Sequence, residues 1–223
     1  MNSGSLGVLG GTFNPVHFGH LRFAQELTEL LGLEQTRLIP AGQPWHRDAP
    51  KVSALHRLEM VRIAVAGNPR FAIDDRECRQ PTPSYTVDTL RALRVELGAE
   101  RAFFLLMGAD AFMALTTWKD WQRLFELTHI VVAHRPGIDF DMVEQSLPPA
   151  LQAEYRSRVT RDVASLREKS AGHIVPILTT ALEISATAIR KLIASGRSPR
   201  YLLPDAVIDY IRQHQLYGSL NEG

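Results

Sequence analysis

The run Gly10-Gly-Thr-Phe-Asn-Pro-Val-His-Phe-Gly-His20 gathers residue types that handle an anion. Gly10 and Gly11 carry no side chain, so a phosphate can come close to the backbone amides there. Gly19 and His20 are read as the start of a helix, whose unpaired first amides favour negative charge. His17 and His20 lie three residues apart, about one helical turn, and can face a single oxyanion. Paired glycines after a strand also make ordinary tight turns. A zinc pair needs a third ligand, and no cysteine or suitably spaced histidine accompanies these two. The spacing of Gly7, Gly10 and Gly11 does not follow G-x-G-x-x-G, and no Walker lysine follows.

A second cluster stands near the other end of the chain, in Ile184-Ser-Ala-Thr-Ala-Ile-Arg190. Ser185 is placed to cap a helix, Thr187 falls in its first turn, and Arg190 is three residues further on the same face. Taken alone this is a capped helix with an exposed arginine. Beside the first cluster it offers hydroxyls, free amides, a helix dipole and a guanidinium to one polyanion.

These clusters need a scaffold, and the chain supplies short apolar runs alternating with amphipathic ones. Strands are expected at Ser5–Gly10, Arg37–Pro40, Phe71–Ile73, Ala102–Met107, His129–Ala133 and Ile174–Leu178. Helices are expected near Gly19–Leu31, Ala54–Ala66, Ser84–Leu97, Ala186–Ala194 and from Pro204 to His214, with a polar helical segment over Asp141–Lys169. Continuous apolar strands separated by helices require a parallel sheet covered on both faces, a doubly wound, Rossmann-like α/β fold. Ligands bind beyond the carboxyl ends of such strands, which is where Gly10–His20 stands. We expect a core over 1–180 and a C-terminal helical element over 181–223 carrying the second cluster, the two forming one structural unit.

Composition excludes several classes. With 25 basic and 24 acidic residues in 223, the formal charge is +1, which argues against a nucleic-acid partner. The densest basic stretch, Arg156, Arg158, Arg161, Arg167 and Lys169, is interleaved with Glu154, Asp162 and Glu168 and reads as a solvated helical face. Cys78 is the sole cysteine, so no intramolecular disulfide forms, and Asp74, Asp75 and Glu77 just before it would raise its thiol pKa if near in space. No signal-peptide pattern and no membrane-length apolar run occurs, so the expected location is the cytoplasm. A homo-oligomer is compatible with all of this.

The paired motifs resemble the two signatures of the adenylyltransferase superfamily that shares an ancestral fold with the HIGH-type aminoacyl-tRNA synthetases. Further segments are similar to the bacterial nicotinate-nucleotide adenylyltransferase family: Ile39-Pro-Ala-Gly-Gln-Pro-Trp-His-Arg47, Pro83-Ser-Tyr-Thr-Val-Asp-Thr89, Met107-Gly-Ala-Asp110, Thr117-Trp118 and His134-Arg-Pro-Gly137. The likeness runs from about Gly7 to Tyr217. It departs at Asn14, where Asp is commoner, and at Trp45 and Arg47, where Pro and Lys are familiar.

The resemblance implies transfer of the adenylyl group of ATP, with Mg2+, to nicotinate mononucleotide. The products would be nicotinate adenine dinucleotide and pyrophosphate, in NAD biosynthesis. By the same resemblance His17, His20 and Arg190 are the catalytic set, and Gly10, Gly11, Thr12, Phe13, Ile184, Ser185 and Thr187 hold ATP phosphates. Gly108 and Asp110 would stand at the adenylate ribose. His46, Arg47, Tyr85, Thr86, Trp118 and Arg135 would hold the acceptor, with Trp118 stacking on the nicotinate ring, amides near Thr86 taking its carboxylate, and Arg47 its phosphate. No protein-only metal site is expected, the ion travelling with the phosphates. Rival readings are the same chemistry on phosphopantetheine or nicotinamide mononucleotide, and a nucleotide-binding protein without turnover.

Overall fold

A computed structural model describes residues 4–43, 50–134, 140–163, 166, 168–180 and 182–218. In chain order the elements are β1 (Leu6–Gly11), α1 (Phe18–Leu30), β2 (Gln35–Pro40), α2 (Ala54–Val65), β3 (Phe71–Ile73), α3 (Thr86–Leu97), β4 (Phe103–Gly108), α4 (Ala109–Met113), α5 (Leu124–Leu127), β5 (His129–His134), α6 (Phe140–Ser146), α7 (Pro149–Arg158), β6 (Ile174–Leu178), α8 (Ala186–Ala194) and α9 (Asp205–Gln213). The six strands form one sheet in the order β3-β2-β1-β4-β5-β6, the doubly wound arrangement in which strand order reverses between β1 and β4. Pairing is parallel, with Leu6 opposite Phe103, Phe104 opposite His129 and Ile130 opposite Ile174.

The apolar strands are buried because both faces of the sheet are covered. Residues 103–107 of β4 and 129–133 of β5 are buried without alternation, as a parallel sheet between helical layers requires. The helices show the complementary pattern. Ile189 and Ile193, one turn apart in α8, are buried, as are Val207, Ile208 and Ile211 in α9.

The chain divides into two compact units, each assembled from three segments: Met1–Leu9, Glu26–Arg37 and Tyr85–Ala181 in the first, Gly10–Gln25, Leu38–Ser84 and Leu182–Gly223 in the second. Both expected phosphate clusters lie in the second unit. In the first, Arg94 of α3 acts as a structural clamp. Its guanidinium lies 3.8 Å from the centre of the Phe103 ring and donates to the carbonyls of Leu127, Ser170 and Arg101. These carbonyls end α5 or lie in turns, and the Ser170 carbonyl also accepts from the Phe103 amide.

One expectation needs correction. The polar stretch 141–169 is not one helix: α6 and α7 are separate, with Pro148 at the N-cap of α7 and Pro149 opening it. The helix ends at Arg158 because Val159 enters a parallel bridge with Ile174, and the Thr160 amide donates to the Ile174 carbonyl. Arg156 and Arg158 stand in the last turn of α7. Arg156 pairs with Glu144 and Arg158 with Glu154, while Arg158 also lies over the Phe125 ring at 4.8 Å. Among the described residues no helix is long and apolar enough to cross a membrane.

Candidate active site

The loop that leaves β1 is held from behind at successive carbonyls. The Gly11 carbonyl accepts from the Ala41 amide at 2.9 Å, and the Thr12 carbonyl from Nη1 of Arg57 at 2.7 Å. The Asn14 carbonyl accepts from Nη1 of Arg190 at 2.7 Å, and the Asn14 Oδ1 accepts from the Tyr217 hydroxyl at 2.7 Å. Burial pushes the Tyr217 phenol up, so it stays a donor. Phe13 takes a left-handed backbone with φ 45° while its side chain is only 2% exposed, and the Asn14–Pro15 bond is cis. A left-handed bulky residue costs on the order of 1–2 kcal/mol, which the surrounding grips must offset. Gly11 is required beside it, because a Cβ there would lie 2.8 Å from Cζ of the Phe13 ring.

With the Gly11 and Thr12 carbonyls engaged, the opposite edges of those two peptides are free. A trans peptide directs its N–H away from its C=O, and among the described residues neither the Thr12 nor the Phe13 amide has an acceptor. Gly10, at the end of β1, is exposed, and a Cβ added to it would meet nothing within 4 Å. Packing therefore does not demand glycine there.

Helix α1 begins at Phe18, one residue before the expected start, and the two histidines flank its first turn. The His17 carbonyl accepts from the amides of His20 and Leu21, while Nδ1 of His20 accepts from the His17 amide at 3.3 Å. This is the reciprocal half of a capping box, made by a histidine instead of Glu or Gln. Since Nδ1 accepts, the His20 proton resides on Nε2, which becomes a donor. The two rings stack at 3.7 Å between centroids, and Phe13 meets His20 edge-on at 5.1 Å. Burial lowers His17 to about 4, and burial followed by the like charge of His17 lowers His20 to about 3. Both imidazoles are neutral at pH 7. The Nδ1 of His17 is buried without a partner among the described residues.

Ser185 caps α8, its Oγ accepting from the Ala188 amide at 3.5 Å, and Nη2 of Arg190 donates to Thr187 Oγ1 at 3.1 Å. Ser185 and Thr187 are exposed or nearly so, and Ile184 lies just ahead of them. Arg190 thus joins the two expected clusters: one nitrogen holds the β1–α1 loop and another the first turn of α8. Sequence reasoning places Arg190 on the ligand alone and misses its grip on Asn14. It also misses Arg57 and Tyr217. Arg57 carries a legible signal, as a cation among the buried residues Leu58, Met60, Val61 and Val65 of α2; Tyr217 carries none.

In the first unit, Gly108 is the N-cap of α4 and a Cβ there would also meet nothing within 4 Å; Asp110 is exposed in the first turn of that helix. Tyr85 occupies the N-cap of α3 without a side-chain capping bond, and its carbonyl accepts from the Asp88 and Thr89 amides. Lys119 lies over the Tyr85 ring at 4.5 Å and pairs with Asp88 at 3.0 Å. Trp118 is half-buried and follows a 3-10 turn over Leu115–Thr117. His46, Arg47 and Arg135 lie outside the described residues. Cys78 is partly buried, donates to the Pro40 carbonyl, and has its pKa raised first by burial, with Glu77 and Asp75 adding to the rise. Among the described residues no three His, Cys, Asp or Glu side chains gather to hold a metal ion.

Comparison with known proteins shows the family. The cytidylyltransferase-like family model matches residues 8–192. A protein of Dechloromonas aromatica named "Probable nicotinate-nucleotide adenylyltransferase" is 53% identical over 95% of this chain and 97% of its own length. One of the same name from Pseudomonas fluorescens is 48% identical over 97% and 98%. In structure the chain resembles the Plasmodium falciparum nicotinic acid mononucleotide adenylyltransferase complexed with NaAD, at a TM-score of 0.72 and 16% identity, covering 96% of this chain and 98% of that one; at that identity the likeness concerns the fold. With its carbonyl-held glycine loop, neutral stacked histidines and doubly wound sheet, the chain belongs to the cytidylyltransferase-like family and, within it, to the nicotinate-nucleotide adenylyltransferases.

Proposed function

We propose that the chain transfers the adenylyl group of ATP to nicotinate mononucleotide, giving nicotinate adenine dinucleotide and pyrophosphate, in the making of NAD. The observation that carries this reading is the loop after β1, where the Gly11 and Thr12 carbonyls are bound, the Thr12 and Phe13 amides have no acceptor among the described residues, and the Phe13 ring meets His20. A phosphate acceptor is already ionised near neutral pH, so no general base is required. The enzyme's work is to align the acceptor oxygen with the α-phosphorus and to stabilise charge as pyrophosphate leaves.

In this reading the loop amides and the imidazole N–H groups of His17 and His20 donate to the reacting phosphates. Each neutral imidazole has one N–H to donate in this role. Ser185, Thr187, Arg190 and the first amides of α8, with Ile184 leading into them, hold the terminal phosphates. The open space at Gly10 and Gly108 supports close approach of the nucleotide to the ends of β1 and β4, with Asp110 accepting from ribose hydroxyls. On the acceptor side, Trp118 stacks on nicotinate, and the start of α3 at Tyr85 and Thr86 takes its carboxylate. His46, Arg47 and Arg135 take its phosphate. The donor set of hydroxyls, amides, neutral histidines and arginine fits magnesium held through the ATP phosphates and not by the protein, and its charge would supply stabilisation of the leaving pyrophosphate. The setting is cytoplasmic, with neither a nucleic acid nor a membrane as partner.

Pyrophosphate release from ATP and magnesium, measured with nicotinate mononucleotide, nicotinamide mononucleotide and phosphopantetheine in turn, tests the reading. A kcat/KM at least about tenfold higher for the acid, worth ~1.4 kcal/mol, is expected. Preference for the amide overturns the acceptor, and no release with any of the three overturns the activity.

A further inference from the structure

Arg57 is 1% exposed, yet among the described residues no carboxylate pairs with it. Its two terminal nitrogens bond two backbone carbonyls, Thr12 and Gly42, each at 2.7 Å, and its Nε is buried without a partner. A buried cation lacking a counter-charge costs several kcal/mol, and a purely structural arginine is usually exposed or paired with Asp or Glu. Arg94 is the contrast within this protein: it too binds carbonyls, but those of Leu127, Ser170 and Arg101, none of which belongs to a residue proposed to hold ligand.

What Arg57 binds is specific. The Thr12 carbonyl belongs to the same peptide group as the Phe13 amide, and that peptide is trans. A guanidinium on the oxygen draws electron density through the peptide and makes the N–H on its far side a stronger donor. The same bond prevents the peptide from flipping, although Phe13 stands in a left-handed conformation that favours relaxation. The second anchor is equally rigid. A Cβ at Gly42 would overlap the Glu77 carbonyl oxygen, so the segment after β2 is pressed against residue 77 and gives the guanidinium a fixed base.

We propose that Arg57 is a positioning residue for adenylyl transfer: from behind the loop it fixes and polarises the Thr12–Phe13 peptide, so that the Phe13 amide is presented to the reacting phosphate. The inference rests on reading the Gly10–His20 loop as the phosphate site. The missing counter-charge of Arg57 is then the polyphosphate on the other side of the peptide.

Three variants separate the possibilities. Arg57→Lys keeps the charge but cannot bond both carbonyls from separate nitrogens, Arg57→Ala opens a space for added guanidinium, and His20→Ala removes a direct donor. Thermal melting, kcat and the KM values are measured for each, with guanidinium or methylammonium added at millimolar levels. We expect cooperative melting in Arg57→Lys, with kcat down about tenfold or more and the acceptor KM within about threefold. Guanidinium, and not methylammonium, is expected to raise kcat of Arg57→Ala at least threefold while leaving His20→Ala unchanged. His20→Ala itself should lose on the order of 10²–10³ in kcat, comparable with one oxyanion donor. Wild-type kcat in Arg57→Lys, or no guanidinium response in Arg57→Ala, overturns the role of Arg57 while the phosphate-site reading stands. Undiminished kcat in His20→Ala overturns that reading, and the inference with it.

Discussion

Three histidines kept neutral by the fold make the protein sensitive to mild acid. Burial lowers His17 to about 4, His20 to about 3 and His129 to about 4, from an ordinary value of 6.5. His129 is fully buried, with Nε2 against the Lys169 carbonyl and Nδ1 accepting from the His173 amide. The sign follows from proton counting. Above pH 6.5 neither the folded nor the unfolded chain protonates these groups. As pH falls below 6.5 the unfolded chain binds protons that the native protein does not, so stability declines, and the decline ends as the native histidines themselves protonate near pH 4 and 3. Each contributes ~1.4 kcal/mol per pH unit in that window, or about 2 kcal/mol lost at pH 5 relative to neutral pH. The three together approach about 6 kcal/mol, comparable with the whole stability of an ordinary domain. Urea unfolding at fixed ionic strength from pH 7.5 to pH 5 measures this directly. The window lies above the carboxylate range, so histidines dominate the slope, and His129→Gln should flatten it by about a third. A stability that stays constant from pH 7.5 to 5, or an undiminished slope in that variant, would refute the reasoning.

Other perturbations bear on the site. Gly11→Ala forces a methyl against the buried Phe13 ring, and should cost about 1–3 kcal/mol by overpacking; a lower melting temperature with reduced pyrophosphate release is the expected result. Tyr217→Phe leaves Asn14 Oδ1 without its donor and should destabilise by about 1–3 kcal/mol in urea titrations, while keeping the acceptor KM unchanged. Trp118→Ala should raise the KM for nicotinate mononucleotide with little change in kcat, because stacking holds ground and transition states alike; an unchanged acceptor KM removes Trp118 from the site.

Much of this protein is legible in its sequence because the signals are local. A strand such as Phe103–Gly108 announces itself by unbroken apolar residues, and α8 by Ser185 at one end and the Ile189–Ile193 spacing within. The two clusters proposed to hold phosphate are legible for the same reason: glycines, histidines and a capped helix start act through the backbone beside them. The break at Pro148–Pro149 is local as well, carried by two prolines inside a polar helical pattern. The end of α7 is not legible, since it depends on Val159 finding Ile174 across the fold.

What belongs to the tertiary structure alone is partnership. His17 and His20 can be placed on one helical turn by counting, but their neutral state comes from burial, and the tautomer of His20 from a capping bond whose making depends on ring orientation. Arg57, Arg190 and Tyr217 reach residues 12 and 14 from positions tens to hundreds of residues away. No periodicity encodes those distances. Sequence by itself determined which backbone is proposed to meet the anion, through short-range sterics and helix geometry; the packing of α2, α8 and the chain's end decided how firmly that backbone is held, because a carbonyl's partner is chosen by whatever the folded chain brings within hydrogen-bond reach.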